Sequence, residues 1–193
     1  MPIRVIAGSA KGRKLKLVPG DTTRPVMDRV KEALFSIIGR GIIDASFLDL
    51  FAGTGSVGIE ALSRGAEHAV FVELERIACR TIEENLALTG FVDRAVLRRM
   101  DVLSLVKGVP PQPPFDFIYI APPQYKGLWV KTLQALDSNE AWFSDETTVI
   151  VQIDPHEREE VALTHLELTD ERVYGNTLLL FYMLIDEDAQ TDG

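Results

Sequence analysis

The stretch Phe47-Leu48-Asp49-Leu50-Phe51-Ala52-Gly53-Thr54-Gly55-Ser56-Val57-Gly58-Ile59-Glu60 constrains this chain more than any other. An apolar run carrying one acid passes into three glycines and then into the helical spacing of Ile59, Leu62 and Gly65, which predicts strand, tight turn and helix in succession. Glycines let the backbone turn sharply and approach a ligand closely, and the first turn of the helix presents unpaired N–H groups. Such a turn cradles a cofactor.

The pattern Gly53-x-Gly55-x-x-Gly58, with Glu73 twenty positions after Gly53, also satisfies the dinucleotide fingerprint. Asp49 separates the two readings. A carboxylate four residues before the first glycine repels a pyrophosphate but suits an ammonium or sulfonium group, and S-adenosyl-L-methionine carries both. Glu73 would then accept from the ribose hydroxyls, and Asp101, after a third apolar run, from the adenine amino group. The plainer alternative makes Asp49, Glu73 and Asp101 caps of the helices that follow them. A nicotinamide-dependent oxidoreductase fits the glycines but leaves Asp49 unexplained.

The 193 residues suit one domain with an appendage, and a hydrophobic content of 46% suffices for a full core. The single Cys79 excludes an internal disulfide and reads as a small core residue in a reducing compartment. No run approaches the ~20 apolar residues of a membrane span and the first residues lack a signal-peptide layout, so a cytoplasmic protein with no membrane partner is expected. His68, His156 and His165 lack metal-ligand spacing, and no metal is expected. The net charge of −9 is unevenly spread. Residues 1–31 hold eight Lys/Arg and two Asp, a balance of +6, whereas the remaining 162 hold twelve Lys/Arg and twenty-seven Asp/Glu, a balance of −15. A basic segment on an acidic body can hold RNA locally, because charge is screened over ~8 Å in physiological salt.

In chain order, Arg4–Ala7 and Arg13–Leu17 alternate around Gly8–Gly12 and predict a hairpin with Lys11 at its tip. Asp28 can cap a helix whose Val30, Leu34, Ile37 and Ile38 share a face before Gly39 and Gly41 stop it. Arg24, Arg29 and Lys31 cluster at its front, and arginine forks match phosphate oxygens. The chain then alternates: strand 47–51, helix 57–64, strand 69–73, helix 75–88, strand 95–99, a short helical turn after Asp101, strand 115–120, helix 127–136 and strand 147–153. That alternation implies a doubly wound α/β fold, a parallel sheet with helices on both faces. Residues 164–169 and 176–184 read as a closing antiparallel pair. The expected organisation is a basic N-terminal extension over 1–40, a Rossmann-like domain over 41–185 and an acidic, frayed tail over 186–193.

Several of these segments together resemble one family. They are Arg4-x-Ile6-x-Gly8 with Gly12-Arg13, Thr23-Arg24-Pro25-x-x-Asp28-Arg29-Val30-Lys31-Glu32-Ala33-Leu34-Phe35, the Leu48–Gly55 run, Glu60-Ala61-Leu62-Ser63-Arg64-Gly65-Ala66, Phe71-Val72-Glu73 and Tyr174-Gly175-Asn176-Thr177. The chain is similar, over nearly its whole length, to the bacterial methyltransferases that modify the N2 amine of a guanine in small-subunit ribosomal RNA. The resemblance implies a class I methyltransferase fold, seven strands with one reversed. It also implies S-adenosyl-L-methionine in a crevice lined by Asp49, Phe51, Gly53, Gly55, Glu73, Asp101 and Ala121, and RNA held by Arg4, Lys11, Arg13, Arg24 and Arg29. The expected partner is small-subunit ribosomal RNA or the assembling subunit, and the expected state is a monomer.

One departure is plain. The family usually has Asp-Pro-Pro-Tyr after the fourth strand; here the stretch is Ala121-Pro122-Pro123-Gln124-Tyr125. The expected roles are therefore the Pro122 carbonyl orienting the amine, the Gln124 side-chain oxygen replacing the acid, and Tyr125 stacking on the base. Loss of one acceptor costs ~1–3 kcal/mol, or ~5- to 150-fold in rate, because the sulfonium is already activated and in-line positioning is the main need. Trp129 is expected to pack in the core. Two other readings keep the fold: a silent RNA-binding assembly factor, and an amino-methyltransferase acting on DNA adenine or protein glutamine.

Overall fold

The computed structural model describes residues 3–20, 28–110 and 114–185. Arg24, the Thr-Arg-Pro segment and the acidic tail lie outside them. The chain runs β1 (Ile3–Arg4), β2 (Lys14–Leu15), α1 (Asp28–Ile38), β3 (Ser46–Leu50), α2 (Ser56–Ser63), β4 (His68–Glu73), α3 (Arg76–Thr89), β5 (Ala95–Arg99), α4 (Val102–Val106), β6 (Phe117–Ile120), α5 (Leu128–Asp137), β7 (Thr148–Ile153), β8 (Leu166–Tyr174) and β9 (Thr177–Leu184). Seven strands form one sheet in the order β5-β4-β3-β6-β7-β9-β8, and only β9 runs against the rest.

Alternation along each strand sends side chains to two cores. Phe47, Phe71, Tyr119, Ile150 and Leu179 join α1, α2 and α3 on one face, while Leu48, Leu50, Val70, Val72, Ile118, Ile120 and Val151 join α4 and α5 on the other. Trp129, 1% exposed, fills the second core, as its helix spacing predicts. Cys79 lies buried in α3. Burial follows the expected periodicity except in α1, whose buried residues are Val30, Lys31, Leu34 and Phe35, with Ile37 39% exposed. The Phe35 ring stacks on Phe47 at 6.2 Å between centroids, and the Arg64 guanidinium lies over the same ring at 5.0 Å from its centroid, contacts that turn the helix away from Ile37.

That rotation corrects a second expectation. Lys31 is not on the basic surface: it is fully buried, its Nζ donating to the Arg4 carbonyl at 2.6 Å and standing 3.8 Å from the Glu60 carboxylate. Glu60, also fully buried, accepts from the N–H groups of Ile6 (2.8 Å) and Ala7 (3.0 Å) and from Arg64 Nε (2.8 Å). The hairpin, paired Ile3 to Leu15 and Arg4 to Lys14, lies along α2 and contributes Ile3, Val5, Ala10 and Leu15 to the first core. Its turn closes on the C-terminal end of α2, where Ser9 N–H donates to the Ser63 carbonyl at 2.8 Å. A Cβ on Gly8 would lie 1.8 Å from that carbonyl oxygen, so only glycine permits the contact.

Candidate active site

Strands β3 and β6 are parallel neighbours whose connections leave in opposite directions along the sheet, β3 to β4 on one side and β6 to β7 on the other. The crevice outside their C-terminal ends is where open α/β sheets take ligands. Backbone hydrogen bonds align four exits there. Ala121 N–H reaches the Leu50 carbonyl (3.5 Å), Ala52 N–H the Val72 carbonyl (3.0 Å), and Met100 N–H the Glu73 carbonyl (3.1 Å). The glycine loop, Glu73, Asp101 and the Ala121–Tyr125 segment therefore share one end of the sheet.

The loop is tightly folded. Phe51 takes φ 62°, Gly53 57° and Gly55 75°, and Gly55 N–H closes on the Ala52 carbonyl at 2.7 Å. A left-handed phenylalanine stores ~1–3 kcal/mol of strain, and such outliers gather at functional sites. An added Cβ on Gly53 would meet nothing within 4 Å, whereas one on Gly58 would lie 2.4 Å from the Phe71 ring. Gly53 thus faces open space, and Gly58 lets α2 seat against β4. Beneath the loop Asp49, 2% exposed, accepts from Gly58 N–H at 3.0 Å. Glu73 accepts from Gly53 N–H (2.8 Å) through one oxygen and from Leu74 and Glu75 N–H (2.8 and 2.9 Å) through the other. Exposed Asp101 caps α4, its Oδ1 accepting from Ser104 N–H at 2.8 Å and Ser104 Oγ at 3.0 Å. Each acid thus bonds local backbone while standing at the crevice.

Burial pushes the Asp49 carboxyl from 3.8 up to about 8, against the opposing pull of the Gly58 N–H. Between about pH 4 and about pH 8 the unfolded chain has lost this proton while the folded chain keeps it, so the group's contribution to stability falls as pH rises through that window. The limiting slope is about 1.4 kcal/mol per pH unit. Asp49→Asn keeps an acceptor for Gly58 and removes the titration. Urea unfolding across this window should therefore show the wild type losing stability relative to Asp49→Asn as pH rises; parallel curves would refute the buried, raised carboxyl.

Beyond β6, Tyr125 is 67% exposed at φ 60°, and Gln124 is exposed beside it. Two acids after β7, which the sequence reading passes over, hold the tyrosine. Its N–H donates to Glu157 Oε1 at 2.7 Å, and its hydroxyl bonds the Asp154 carboxylate, which raises the phenol's pKa. Asp154 also caps a short turn at Pro155–Glu157 by accepting from His156 N–H at 2.9 Å, and the His156 ring stands 2.7 Å from it. The backbone and ring contacts of His156 hold that carboxyl below its usual range. A separation of some thirty residues leaves no local signal for these contacts.

The basic residues are more dispersed than the crevice. Lys11, Arg13 and Arg29 are exposed, and Arg4 is ion-paired with Asp28 at 2.9 Å. The Lys11 turn docks at the far end of α2 from the glycine loop, a helix length of ~12 Å away. Lys16, by contrast, comes close to that loop through Asn85. Among the described residues no three His, Cys, Asp or Glu side chains are placed to hold a metal ion, and no helix is long and apolar enough to cross a membrane.

Residues 3–183 match the family model described as Conserved hypothetical protein 95. The Bacillus subtilis protein YlbH is 36% identical over 93% of this chain and 98% of its own length. The ribosomal RNA small subunit methyltransferase D of Escherichia coli K12 is 33% identical over 97% of this chain and 91% of its own. The solved structure of yhhF from Escherichia coli superposes with a TM-score of 0.81 at 32% identity, covering 95% of this chain and 98% of that one. With its single reversed strand and strand-end crevice, the chain is a class I methyltransferase and belongs to the Conserved hypothetical protein 95 family, as a relative of ribosomal RNA small subunit methyltransferase D.

Proposed function

We propose that the protein transfers a methyl group from S-adenosyl-L-methionine to the N2 amine of a guanine in small-subunit ribosomal RNA, in the cytoplasm. The observation that carries this reading is the convergence, at one end of the sheet, of a glycine loop with an acid beneath it and an exposed aromatic ring across β3 and β6. The residues fit the cofactor: open space above Gly53, Glu73 and Asp101 at successive strand ends as acceptors, and Asp49, with Phe51, Gly55 and Ala121, completing the lining. When bound, the cofactor supplies an activated methyl group. The protein's own residues position the acceptor. A guanine amine has a delocalised lone pair, so it needs in-line placement and hydrogen-bond acceptors that orient its N–H groups, the proton released on transfer passing to water. The Pro122 carbonyl and the Gln124 side-chain oxygen supply those acceptors, and the Tyr125 ring stacks on the extruded base. The exposed cations Arg4, Lys11, Arg13 and Arg29, with Arg24, grip phosphates along the extension of residues 1–40.

The test is methyl transfer from labelled S-adenosyl-L-methionine to small-subunit RNA and to subunit particles from cells lacking the endogenous activity, followed by nucleoside analysis. Label in N2-methylguanosine is the expected result. Label in another nucleoside or in protein would overturn the acceptor, and cofactor binding without label would favour a silent assembly factor.

A further inference from the structure

Asn85, on α3, is fully buried and joins two parts of the molecule that the proposed reaction must bring together. Its Oδ1 accepts from Lys16 N–H at 2.7 Å, and its Nδ2 donates to the Lys16 carbonyl at 3.1 Å. The side chain thereby pairs with both backbone groups of Lys16, as a neighbouring strand would, just where the hairpin leaves β2. The second proton of the same amide goes to the Thr54 carbonyl at 2.9 Å. Thr54 lies between Gly53 and Gly55, both left-handed, so the plane of the Thr54–Gly55 peptide takes its direction from what holds it: Gly55 N–H on the Ala52 carbonyl at one edge and the Asn85 amide at the other. A primary amide is the group that can do all this: aspartate would set an oxygen against two carbonyls, and a flipped amide would do the same.

We propose that Asn85 is a positioning residue through which the N-terminal hairpin sets the glycine loop, so that RNA on the extension and S-adenosyl-L-methionine in the crevice bind cooperatively. The inference rests on the proposed function for its ligands and on the hydrogen bonds alone for its mechanism. RNA that steadies the hairpin fixes Lys16, Lys16 fixes the Asn85 amide, and the amide fixes the Thr54 carbonyl. By linkage, cofactor in the loop must tighten RNA binding by the same factor. Lys16 adds an exposed ion pair to Glu84, 2.8 Å away on the same helix, which leaves the buried amide as the contact that reaches the loop.

The experiment compares wild type with Asn85→Ala in two ways. S-adenosylhomocysteine affinity is measured with and without a saturating small-subunit RNA fragment, and hydrogen exchange is followed in the peptide containing Gly53–Gly55. In the wild type, RNA should tighten S-adenosylhomocysteine binding by about fivefold or more. In Asn85→Ala that factor should fall to near one, with cofactor-free RNA affinity changed less than about twofold. Loop exchange should rise while exchange in β3 and β4 stays as it was. An unchanged linkage factor, unchanged loop exchange, or a uniform rise across α3 and the sheet overturns the inference. Wild-type protein that binds neither ligand overturns the proposed function instead, and loop exchange then decides the inference alone. If Asn85→Ala does not fold, Leu15→Ala loosens the hairpin with Asn85 in place; a raised loop exchange supports the coupling and an unchanged one refutes it.

Discussion

Glu60→Ala is expected to cost about 3–5 kcal/mol, about a fifth or more of the stability of an ordinary domain. The substitution strands more than it removes. Two part-buried backbone N–H groups, on Ile6 and Ala7, lose their acceptor, and Lys31 keeps a buried ammonium with only the smaller attraction of Asp28 to balance it. Burial already pulls the Lys31 pKa down, and Glu60 opposes that pull, so deletion of the carboxylate drives the amine towards its neutral form. Glu60→Gln should cost less, because the amide oxygen still accepts from the hairpin. Lys31→Met added to Glu60→Gln should recover part of the loss, since methionine, of similar volume, removes the buried charge that the neutral amide no longer balances. Urea unfolding reads all three, and a loss below about 1 kcal/mol for Glu60→Ala would mean that the hairpin is not held by this carboxylate.

At Tyr125 the expectation is opposite in sign for stability and activity. Tyr125→Ala should reduce kcat/KM for RNA methylation by about 5- to 150-fold, the worth of one base–aromatic stack of ~1–3 kcal/mol. Tyr125→Phe, which keeps the ring and drops the hydroxyl bond to Asp154, should stay within about threefold of wild type. If phenylalanine fails as badly as alanine, the hydroxyl anchor and not the ring is what the reaction uses. Tyr125→Gly should also unfold later than wild type, by about 1 kcal/mol, because a left-handed φ of 60° is unstrained only for glycine. A variant more stable and less active would show that the chain holds this ring in place at a conformational cost.

The sheet was legible because apolar runs and glycine turns are local signals. Strands β3, β4, β5 and β7 fall within a residue of where alternation puts them, and Asp49, the glycines, Glu73 and Asp101 converge as their places at successive strand ends require. The last hairpin was only half legible. Strand β8 continues to Tyr174, through Asp170, Glu171 and Arg172, past a bulge between Leu168 and Asp170. These charges read as loop, yet an edge strand open to water tolerates them, and they keep the edge from pairing with another chain. Lys31 was misplaced because nothing local distinguishes a cation facing solvent from one facing Glu60, which is 29 positions away in sequence. Equal or greater separations hide Asn85, Asp154 and Glu157. Asn85 and Glu157 meet backbone groups, which every residue carries, and Asp154 meets a distant tyrosine hydroxyl, so the sequence bears no mark of who meets whom.

The position of β9 has a consequence in time. This strand is the last described element of the chain, yet it lies between β7 and β8, with Leu178, Leu179, Leu180 and Phe181 buried. Until it arrives, β7 offers the unpaired edge of Thr148–Ile153, with Val149, Ile150 and Val151, to any strand that will pair with it. A chain made from its N-terminus can build the hairpin, the glycine loop and the first core early, but it cannot close its sheet until Thr177–Leu184 has been made. A chain stopped shortly before Thr177 would therefore hold the cofactor loop and still be sticky.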